Sequence, residues 1–561
     1  MNIRGFYFPL FIFSLVVLFS SCKKDPANSK KLPVVIKEIR TSNGPYNPSN
    51  TIYWDLIHTK LDVSFDFQKQ HLLGRAAITL KPQFYPQKTL ILDAKGFDIH
   101  SIEFTNGEKI SSYTYQANQI TISFNKLYTH NDTLRLTIDY TAKPNDLPKG
   151  GSNAITEDKG LYFIDPLDTL PLKPTEIWTQ GETQSASCWF PTIDSPNQRL
   201  TQEMYITAPK RFQVISNGEL MYKTDAANDN TTWYWKMDLP HAPYLFMMAV
   251  GEFAKITDTW RGKEVGYYVE PAYEQYARHI FGETPAMIEF YSAKLNYPYP
   301  WAKYSQIVVR DFVSGAMENT SASIFMEDLQ VDDRFLADEN WESIIAHELF
   351  HHWFGDLVTC ESWSNLPLNE SFANFSEIAW IEHKHGYDEG LLHAQEDLSG
   401  YLKEAETTQN SLIRYRYTDK EDMFDSHSYN KGGLTLNLLR NVVGEEAFYA
   451  ALNLYLTRNA FSAVEISQLR MAFEDVTGED MHWFFDPLFM KPAHAELYVT
   501  HYPSKKNTVE ISIEQKQDTI RGTLYRLPLQ VDYKIKGDTS MHSKRIWVSK
   551  YKETYSLPVA H

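Results

Sequence analysis

The chain has 561 residues, which is enough for about three or four domains with hydrophobic cores of their own. Hydrophobic residues make up 43% of the sequence and aromatic residues 14%, a composition that excludes a disordered protein and is typical of one with many strands. The formal net charge of −17 argues against nucleic acid or an anionic lipid surface as the main partner.

Residues 1–22 have the pattern of a bacterial lipoprotein signal peptide. An apolar run over residues 6–19 is too short to cross a bilayer comfortably, and small residues then lead directly to Cys22. We predict that Cys22 becomes the lipidated first residue; an ordinary secretory signal with cleavage elsewhere is the alternative. Residues 23–50, rich in Lys, Pro, Asn and Ser, predict a flexible tether. The expected location is a bacterial envelope (outer membrane, periplasmic or surface-facing), with the membrane contacted only through the lipid anchor.

Residues 51–256 predict one antiparallel β domain. The runs 61–67 and 134–140 alternate apolar and polar residues, as strands with one buried face do. Clusters of Asn, Asp and Gly separate such runs and are typical of turns. From 257 to 490 the pattern becomes mostly helical, with one strand-like stretch at 306–312.

Residues 491–561 return to alternation and predict a small C-terminal β-sandwich. The expected fold class is therefore α+β with several domains. The cysteines, Cys22, Cys188 and Cys360, are too few for a disulfide framework or a thiolate zinc site. Cys188 and Cys360 are expected as buried free thiols, unless the fold brings the two together.

The helical part contains the sequence His347-Glu348-Leu349-Phe350-His351. On a helix, His347 and His351 lie one turn apart and point the same way, so both can bind one Zn²⁺. Glu370, near the start of a second predicted helix, offers an oxygen ligand and leaves one coordination position open, as in catalytic zinc sites. Glu348 lies where a general base for a zinc-bound water is needed. The pattern predicts a hydrolase.

The first motif alone has another interpretation, an amphipathic helix whose histidines bind no metal. The second segment argues against it, because residues 369–385 also have a helical pattern, closed by Gly386, and carry Glu370. Glu377 lies two turns beyond Glu370 on the same helix face. It is either a partner of a ligand imidazole or a plain solvated or salt-bridged glutamate.

The segment Gly315-Ala316-Met317-Glu318-Asn319 follows the strand-like stretch. A carboxylate on an edge strand can bind an amine, while free backbone groups pair with an extended peptide. Without its context this segment would be an unremarkable turn.

Together these segments resemble the aminopeptidase N family of zinc gluzincins. The resemblance rests on Gly-x-Met-Glu-Asn, His-Glu-x-x-His and a glutamate after eighteen further residues, 352 to 369. Other stretches match the family in order along the chain: 179–182 leading into 189–191, then 353–359, 368–370 and 429–433, whereas residues 183–188 depart from the more charged segment of the relatives. The resemblance runs from about residue 52 to the C-terminus, and it implies a thermolysin-like catalytic domain with one Zn²⁺ per chain.

The resemblance also implies roles for single residues. Glu318 would bind the free α-ammonium of the substrate together with Glu182, and Gln180 would line the same pocket. Gly315, Ala316, Met317 and Asn319 would complete the substrate-binding strand. Tyr429 would donate a hydrogen bond to the oxyanion opposite the zinc, a role that fits the chemistry of amide hydrolysis.

The expected function is that of a zinc aminopeptidase, which removes the N-terminal residue from peptides with a free amino end. Two carboxylates around an ammonium fix the scissile bond one residue from the N-terminus, because a longer overhang would bury unpaired charge. A metallo-endopeptidase and a catalytically inactive peptide-binding lipoprotein are the alternatives. The sequence leaves the oligomeric state open.

Larger relatives in that family have an additional helical domain that covers the catalytic cleft. This sequence ends at His561, within the predicted C-terminal β domain. We therefore expect a cleft that is more open, or closed by another subunit, and that accepts longer peptides.

Overall fold

The computed structural model describes residues 39–105, 110–504, 508–518, 522–535 and 538–558. The predicted signal peptide, Cys22 and the tether up to residue 38 lie outside these residues. Among the described residues no helix is both long enough and apolar enough to cross a bilayer. Cys188 and Cys360 are both buried and both free.

The N-terminal half of the chain is built from strands. In chain order they are β1 (Trp54–Asp66), β2 (His71–Pro82), β3 (Gln87–Asp93), β4 (Phe97–Phe104), β5 (Ser112–Gln116), β6 (Gln119–Tyr128), β7 (Leu134–Ala142), β8 (Leu161–Ile164), β9 (Glu176–Thr179), β10 (Leu200–Pro209), β11 (Gln213–Ser216), β12 (Glu219–Ala226), β13 (Asn230–His241) and β14 (Met248–Gly251).

These strands form sheets with the orders β12-β13-β10-β1-β2-β7-β4, β11-β14-β9-β8 and β3-β6-β5. Apolar side chains from all three sheets meet in one core, which includes Leu61, Ile138, Met204 and Trp189. The pairs are antiparallel except that β1 runs parallel to β10. This one pair departs from the predicted all-antiparallel domain, since the period of a strand carries no information about the direction of its neighbour.

The second region begins with a sheet and continues with helices. Its elements are β15 (Ala254–Trp260), β16 (Lys263–Val269), α1 (Ala277–Phe281), α2 (Thr284–Lys294), β17 (Tyr304–Val309), β18 (Ala316–Met317), β19 (Ala322–Met326), α3 (Asp333–Leu336), α4 (Glu342–Phe350), β20 (Val358–Cys360), α5 (Pro367–His385), α6 (Tyr387–Ala405), α7 (Gly432–Val443), α8 (Glu445–Asn459), β21 (Ser462–Val464), α9 (Ile466–Thr477) and α10 (His482–Phe489). A π-helical turn, His427–Lys431, leads directly into α7.

The sheet of this region has the order β15-β16-β17-β19-β18, which places the short strand β18 at its edge. Helix α5 is its most buried helix and packs against α4, α6 and α7. It begins with Pro367, which suits a first helical turn, and ends at Gly386, whose φ of 103° few other residues adopt. The first turn of α5 lies beside the last turn of α4, since Glu370 approaches His347 and His351 there.

The C-terminal region contains β22 (Leu497–Pro503), β23 (Thr508–Gln515), β24 (Leu527–Lys534), β25 (Met541–Val548) and β26 (Lys552–Pro558). They pair in the orders β22-β23-β26 and β24-β25, and a small core with Ile513, Leu529 and Val548 lies between them. The predicted α+β fold class is thus confirmed, with a β-rich N-terminal part, a mostly helical middle part and C-terminal sheets.

Candidate active site

Helices α4 and α5 bring the three predicted metal ligands together. His347 lies in the last turn of α4 and His351 caps it four residues later, so both rings point the same way. Glu370 lies in the first turn of α5. Its Oε2 is 3.3 Å from Nε2 of His347 and 3.4 Å from Nε2 of His351. The three side chains converge on one point between the helices.

Hydrogen bonds on the far side of each imidazole fix its orientation. Nδ1 of His347 lies 2.8 Å from Oε1 of Glu377, and Nδ1 of His351 lies 3.0 Å from the backbone oxygen of Phe354. These oxygens only accept hydrogen bonds, so each Nδ1 carries a proton and donates it. In the neutral rings the Nε2 lone pairs then face Glu370, which is the arrangement that a metal ligand requires.

The donor set suits zinc. One ligand atom from each of His347, His351 and Glu370 lies within 4.8 Å of the other two. Two imidazole nitrogens and one carboxylate oxygen are ligands of catalytic zinc, which keeps a fourth coordination position for water or substrate. The residues present therefore fit the ion that the sequence motif predicts.

Glu348 lies beside these ligands with its carboxylate near a second glutamate. One oxygen of Glu348, one of Glu318 and one ring nitrogen of His351 lie within 4.8 Å of one another. Burial raises the pKa of Glu348 to about 8, and a cation held by the three ligands would oppose this rise. A carboxyl group whose pKa lies near neutral pH can both accept and return a proton during a reaction.

Glu182 and Glu318 come together although they are 136 positions apart in the sequence. Glu182 follows β9, Glu318 follows β18, and one oxygen of each lies within 4.8 Å of a Glu370 oxygen. Both side chains are buried, and Oε1 of each has no hydrogen-bond partner among the described residues. Burial, with the Coulombic repulsion of Glu318 added, raises the pKa of Glu182 well above its usual value. Neither carboxylate forms an ion pair with a lysine or arginine of the described residues.

Strand β18 presents the segment 315–319 along the edge of its sheet. Ala316 and Met317 pair with β19 on one side, and no strand of the described residues pairs with the other. Gly315 and Ala316 line the cavity above the ligands, and Asn319 is fully buried. Nε2 of Gln180 lies 3.2 Å from Sδ of Met317, so Gln180 packs against this strand.

Tyr429 lies on the π-helical turn and faces the metal ligands. Its ring stacks on that of His347, with centroids 5.9 Å apart and an interplanar angle of 12°. Two glycines bring the turn this close to α5. A Cβ on Gly432 would lie 1.8 Å from Oγ of Ser371, and one on Gly433 would lie 2.0 Å from Oδ1 of Asn374. The close packing of this turn on α5 thus explains why Gly432 and Gly433 follow Lys431 here.

The metal ligands, the carboxylate pair, Glu348 and Tyr429 all line one cavity of about 1210 Å³. It is lined by Gln180, Glu182, Gly315, Ala316, Glu318, His347, Glu348, His351, Glu370 and Tyr429 together with residues that the motifs do not contain. Such a volume exceeds that of most small-molecule sites and has room for a peptide of several residues.

Sequence reasoning missed two residues that line this cavity, and a third that contacts the cavity-lining Glu377. His393 on α6 has its Nε2 3.1 Å from Oε2 of Glu377, and only the helical spacing of α6 could have hinted at it. Glu421 accepts a hydrogen bond from Oγ1 of Thr183 at 2.7 Å and lines the cavity near Glu182. Arg40 also lines the cavity, although it belongs to the predicted tether and to none of the sequence motifs.

The comparisons with known proteins agree with this geometry. The family model described as "Peptidase family M1 domain" matches residues 280–488, and "Peptidase M1 N-terminal domain" matches residues 55–245. The two matches cover the strand-rich half and the helical region in the order that the M1 peptidases have.

Two individual proteins and one solved structure are also similar to this chain. The chain is 32% identical to "Aminopeptidase N" of Streptomyces lividans over 341 residues, which are 58% of this chain and 38% of that protein. It is 26% identical to "Leucyl aminopeptidase" of Saccharolobus solfataricus over 498 residues, 86% of this chain and 59% of the relative. The fold matches a crystal structure of Legionella pneumophila aminopeptidase A with a TM-score of 0.75 and 19% identity, over 92% of this chain and 59% of that one.

In each case the chain spans less than two thirds of the relative's own length. The ordered match of two M1 models, the relatives and the common fold nevertheless agree on one assignment. The chain belongs to the M1 family of peptidases, the aminopeptidase N family of gluzincins.

Proposed function

We propose that this protein is a zinc-dependent aminopeptidase that releases N-terminal residues from peptides. The observation that carries the proposal is the pair Glu182 and Glu318, two buried carboxylates that no described lysine or arginine pairs with, beside His347, His351 and Glu370. The names of the relatives, which are aminopeptidases, support it.

The carboxylate pair would select the substrate by its free amino end. An α-ammonium group placed between Glu182 and Glu318 would satisfy both buried charges, and an acylated or internal amide would leave both unpaired. The free edge of β18 would hold the first residues of the peptide in an extended conformation by backbone hydrogen bonds. These contacts would place the first peptide bond at the three metal ligands.

Glu348 and Tyr429 would carry the reaction itself. Zinc held by His347, His351 and Glu370 would supply Lewis acidity to the water and to the scissile carbonyl. Glu348 would take a proton from the attacking water and return it to the departing amine. The phenol of Tyr429 would donate a hydrogen bond to the carbonyl oxygen as negative charge develops there.

A metallo-endopeptidase would use the same ligands but would have no use for Glu182 and Glu318. A peptide-binding protein without activity would have no use for Glu348 and Tyr429. Both alternatives leave buried carboxylates unexplained, so the aminopeptidase is the proposal that uses the whole cavity.

The test is a panel of aminoacyl-amide substrates, each with a chromogenic leaving group, assayed on the purified chain with and without a chelator. We expect hydrolysis that the chelator abolishes and added zinc restores. Glu348→Gln should bind zinc as the unchanged protein does and hydrolyse about 10²–10⁴-fold more slowly. Hydrolysis that survives complete removal of metal would contradict the proposal.

We further propose that the protein is exported and held in a bacterial envelope by a lipid on Cys22. This proposal rests on the sequence before residue 39, outside the described residues. Metabolic labelling with a radioactive fatty acid should mark the unchanged protein and leave Cys22→Ala unlabelled. Equal labelling of the two proteins would refute it.

A further inference from the structure

Residues 40–50 form a strap that lies across the catalytic region, although the sequence predicts a flexible tether up to residue 50. The backbone N–H of Arg40 donates to the oxygen of Thr407 at 2.8 Å, and the oxygen of Arg40 accepts from the N–H of Gln409 at 2.9 Å. Further along, the N–H of Asn47 donates to the oxygen of Tyr415 at 2.7 Å. The strap therefore pairs with the segment after α6 through its main chain.

Side chains of the strap add to this pairing. Tyr46 stacks on Tyr415 with ring centroids 5.5 Å apart. Gly44 lies so close to the chain that a Cβ would come within 2.2 Å of the backbone carbon of Tyr417. At its end, Nδ2 of Asn50 donates to Oγ of Ser195 at 3.0 Å. The strap is thus fixed to both the helical region and the strand-rich half.

The beginning of the strap is also a wall of the catalytic cavity, which Arg40, Thr41 and Ser42 line. Nine carboxylates line the same cavity: Glu182, Glu318, Glu348, Glu370, Glu377, Glu404, Glu421, Asp422 and Asp425. Arg40 is the one lysine or arginine among the cavity-lining residues of the described chain. Away from the three metal ligands, a substrate carboxylate would meet mostly negative charge in this cavity, and Arg40 is the residue that would attract it.

Arg40 is an exposed residue at the edge of the cavity. Its backbone holds the residue in place, while its side chain makes no ion pair with any described residue. A guanidinium presents planar, paired N–H donors that match a carboxylate. An anchored arginine with an unengaged side chain at the edge of an acidic cavity is therefore suited to bind an anionic group of the ligand.

We infer that Arg40 binds a carboxylate on the part of the peptide beyond the scissile bond, and that this carboxylate is the free C-terminus of a short peptide. The inference rests on the proposed aminopeptidase function, in which Glu182 and Glu318 hold the opposite, ammonium end. A peptide of suitable length has one charge at each end, and the cavity offers carboxylates for one end and Arg40 for the other. An acidic side chain within a longer peptide carries the same chemistry and is the other source of the carboxylate.

The experiment compares peptides of two to six residues that share their N-terminal residue, each with a free C-terminal carboxylate and as the C-terminal amide. A third set carries the C-terminal amide and one internal aspartate. The ratio of kcat/KM between acid and amide is measured for the unchanged protein, Arg40→Gln, Arg40→Lys and the control Arg211→Gln. Arg211 is an exposed arginine that pairs with Glu252 in the strand-rich half and does not line the cavity.

We expect the unchanged protein to favour the acid about three- to tenfold at one or two peptide lengths, as a partly exposed charge pair allows. Arg40→Gln keeps the backbone pairing of the strap and should lose this preference, or reverse it. Arg40→Lys should retain part of it, and Arg211→Gln all of it. A preference that follows the internal aspartate and not the C-terminus would overturn the assignment to the C-terminal carboxylate.

A single-residue aminoacyl amide does not extend beyond the scissile bond, so Arg40→Gln should hydrolyse it at the unchanged rate. If neither the unchanged protein nor the variants hydrolyse this aminoacyl amide, the proposed function fails. The role of Arg40 is then tested by itself, by calorimetric affinities of the same peptides for Glu348→Gln and for the double variant Glu348→Gln with Arg40→Gln. The inference is overturned if, at every peptide length, the ratio of kcat/KM between acid and amide is the same in Arg40→Gln as in the unchanged protein.

Discussion

Replacement of Glu377 should weaken metal binding without touching a metal ligand. Oε1 of Glu377 accepts a hydrogen bond from Nδ1 of His347 at 2.8 Å, and Oε2 lies 3.1 Å from Nε2 of His393. Only 14% of the Glu377 side chain is exposed, so water replaces it poorly. The carboxylate holds the imidazole in the orientation and tautomer that turn Nε2 toward Glu370.

The size of the effect follows from the bond that is lost. A hydrogen bond to a charged group contributes about 1.5–3 kcal/mol, which corresponds to an affinity change of about 10- to 100-fold. Glu377→Ala should approach the upper value because it removes the acceptor. Glu377→Gln should lie near the lower one, because its amide oxygen can still accept from His347.

The assay is competition for zinc between each variant and a chromogenic chelator of known affinity. Glu382→Gln, on the same helix but paired with Arg440, is the matched control and should bind zinc as the unchanged protein does. Thermal unfolding of the metal-free proteins checks that all variants fold. Zinc affinity of Glu377→Ala within twofold of the control would refute the positioning role.

Three other substitutions test separate parts of the structure. Tyr429→Phe should lower kcat about 10²–10³-fold and leave zinc affinity unchanged, since it removes one donor to the oxyanion; an unchanged kcat would exclude that role. Gly433→Ala should lower the free energy of unfolding by about 1–3 kcal/mol, because its Cβ would overlap Asn374. Gly400→Ala is the control and should leave it unchanged, since a Cβ there would have no atom nearer than 3.8 Å. Equal unfolding temperatures for the two variants would contradict this prediction. Burial lowers the pKa of Lys303 to about 7. At pH values between this pKa and the higher pKa of a lysine in the unfolded chain, the unfolded state binds more protons than the folded state. The free energy of unfolding should therefore rise with pH over this range. Lys303→Met should show a smaller rise in unfolding temperature from pH 6 to pH 9 than the unchanged protein, and an identical rise would contradict the burial argument.

The parts of the site that follow from local geometry were accessible to sequence reasoning. The spacing of His347 and His351 places both on one helix face, and the helical pattern around Glu370 also puts Glu377 on the face toward α4. The sequence left Glu377 open between a ligand partner and a solvated residue, and the structure places it 2.8 Å from His347.

Contacts between distant segments were not accessible in this way. The strap that begins at Arg40 pairs with residues some 370 positions later, and its polar sequence has no period that would mark it as a structural element. The approach of Glu182 to Glu318 likewise depends on how two sheets pack, and only resemblance to a family suggested it. The parallel pairing of β1 with β10 needed the fold as well.

The central claim is that a free amino end is bound between Glu182 and Glu318. The most direct measurement is kcat/KM for one aminoacyl amide with a free amine and for its N-acetylated form, in the unchanged protein and in Glu318→Gln. We predict that acetylation lowers kcat/KM by at least about 100-fold in the unchanged protein, because it leaves buried carboxylates unpaired. The loss should be much smaller in Glu318→Gln. Equal rates for the two substrates in the unchanged protein would contradict the account.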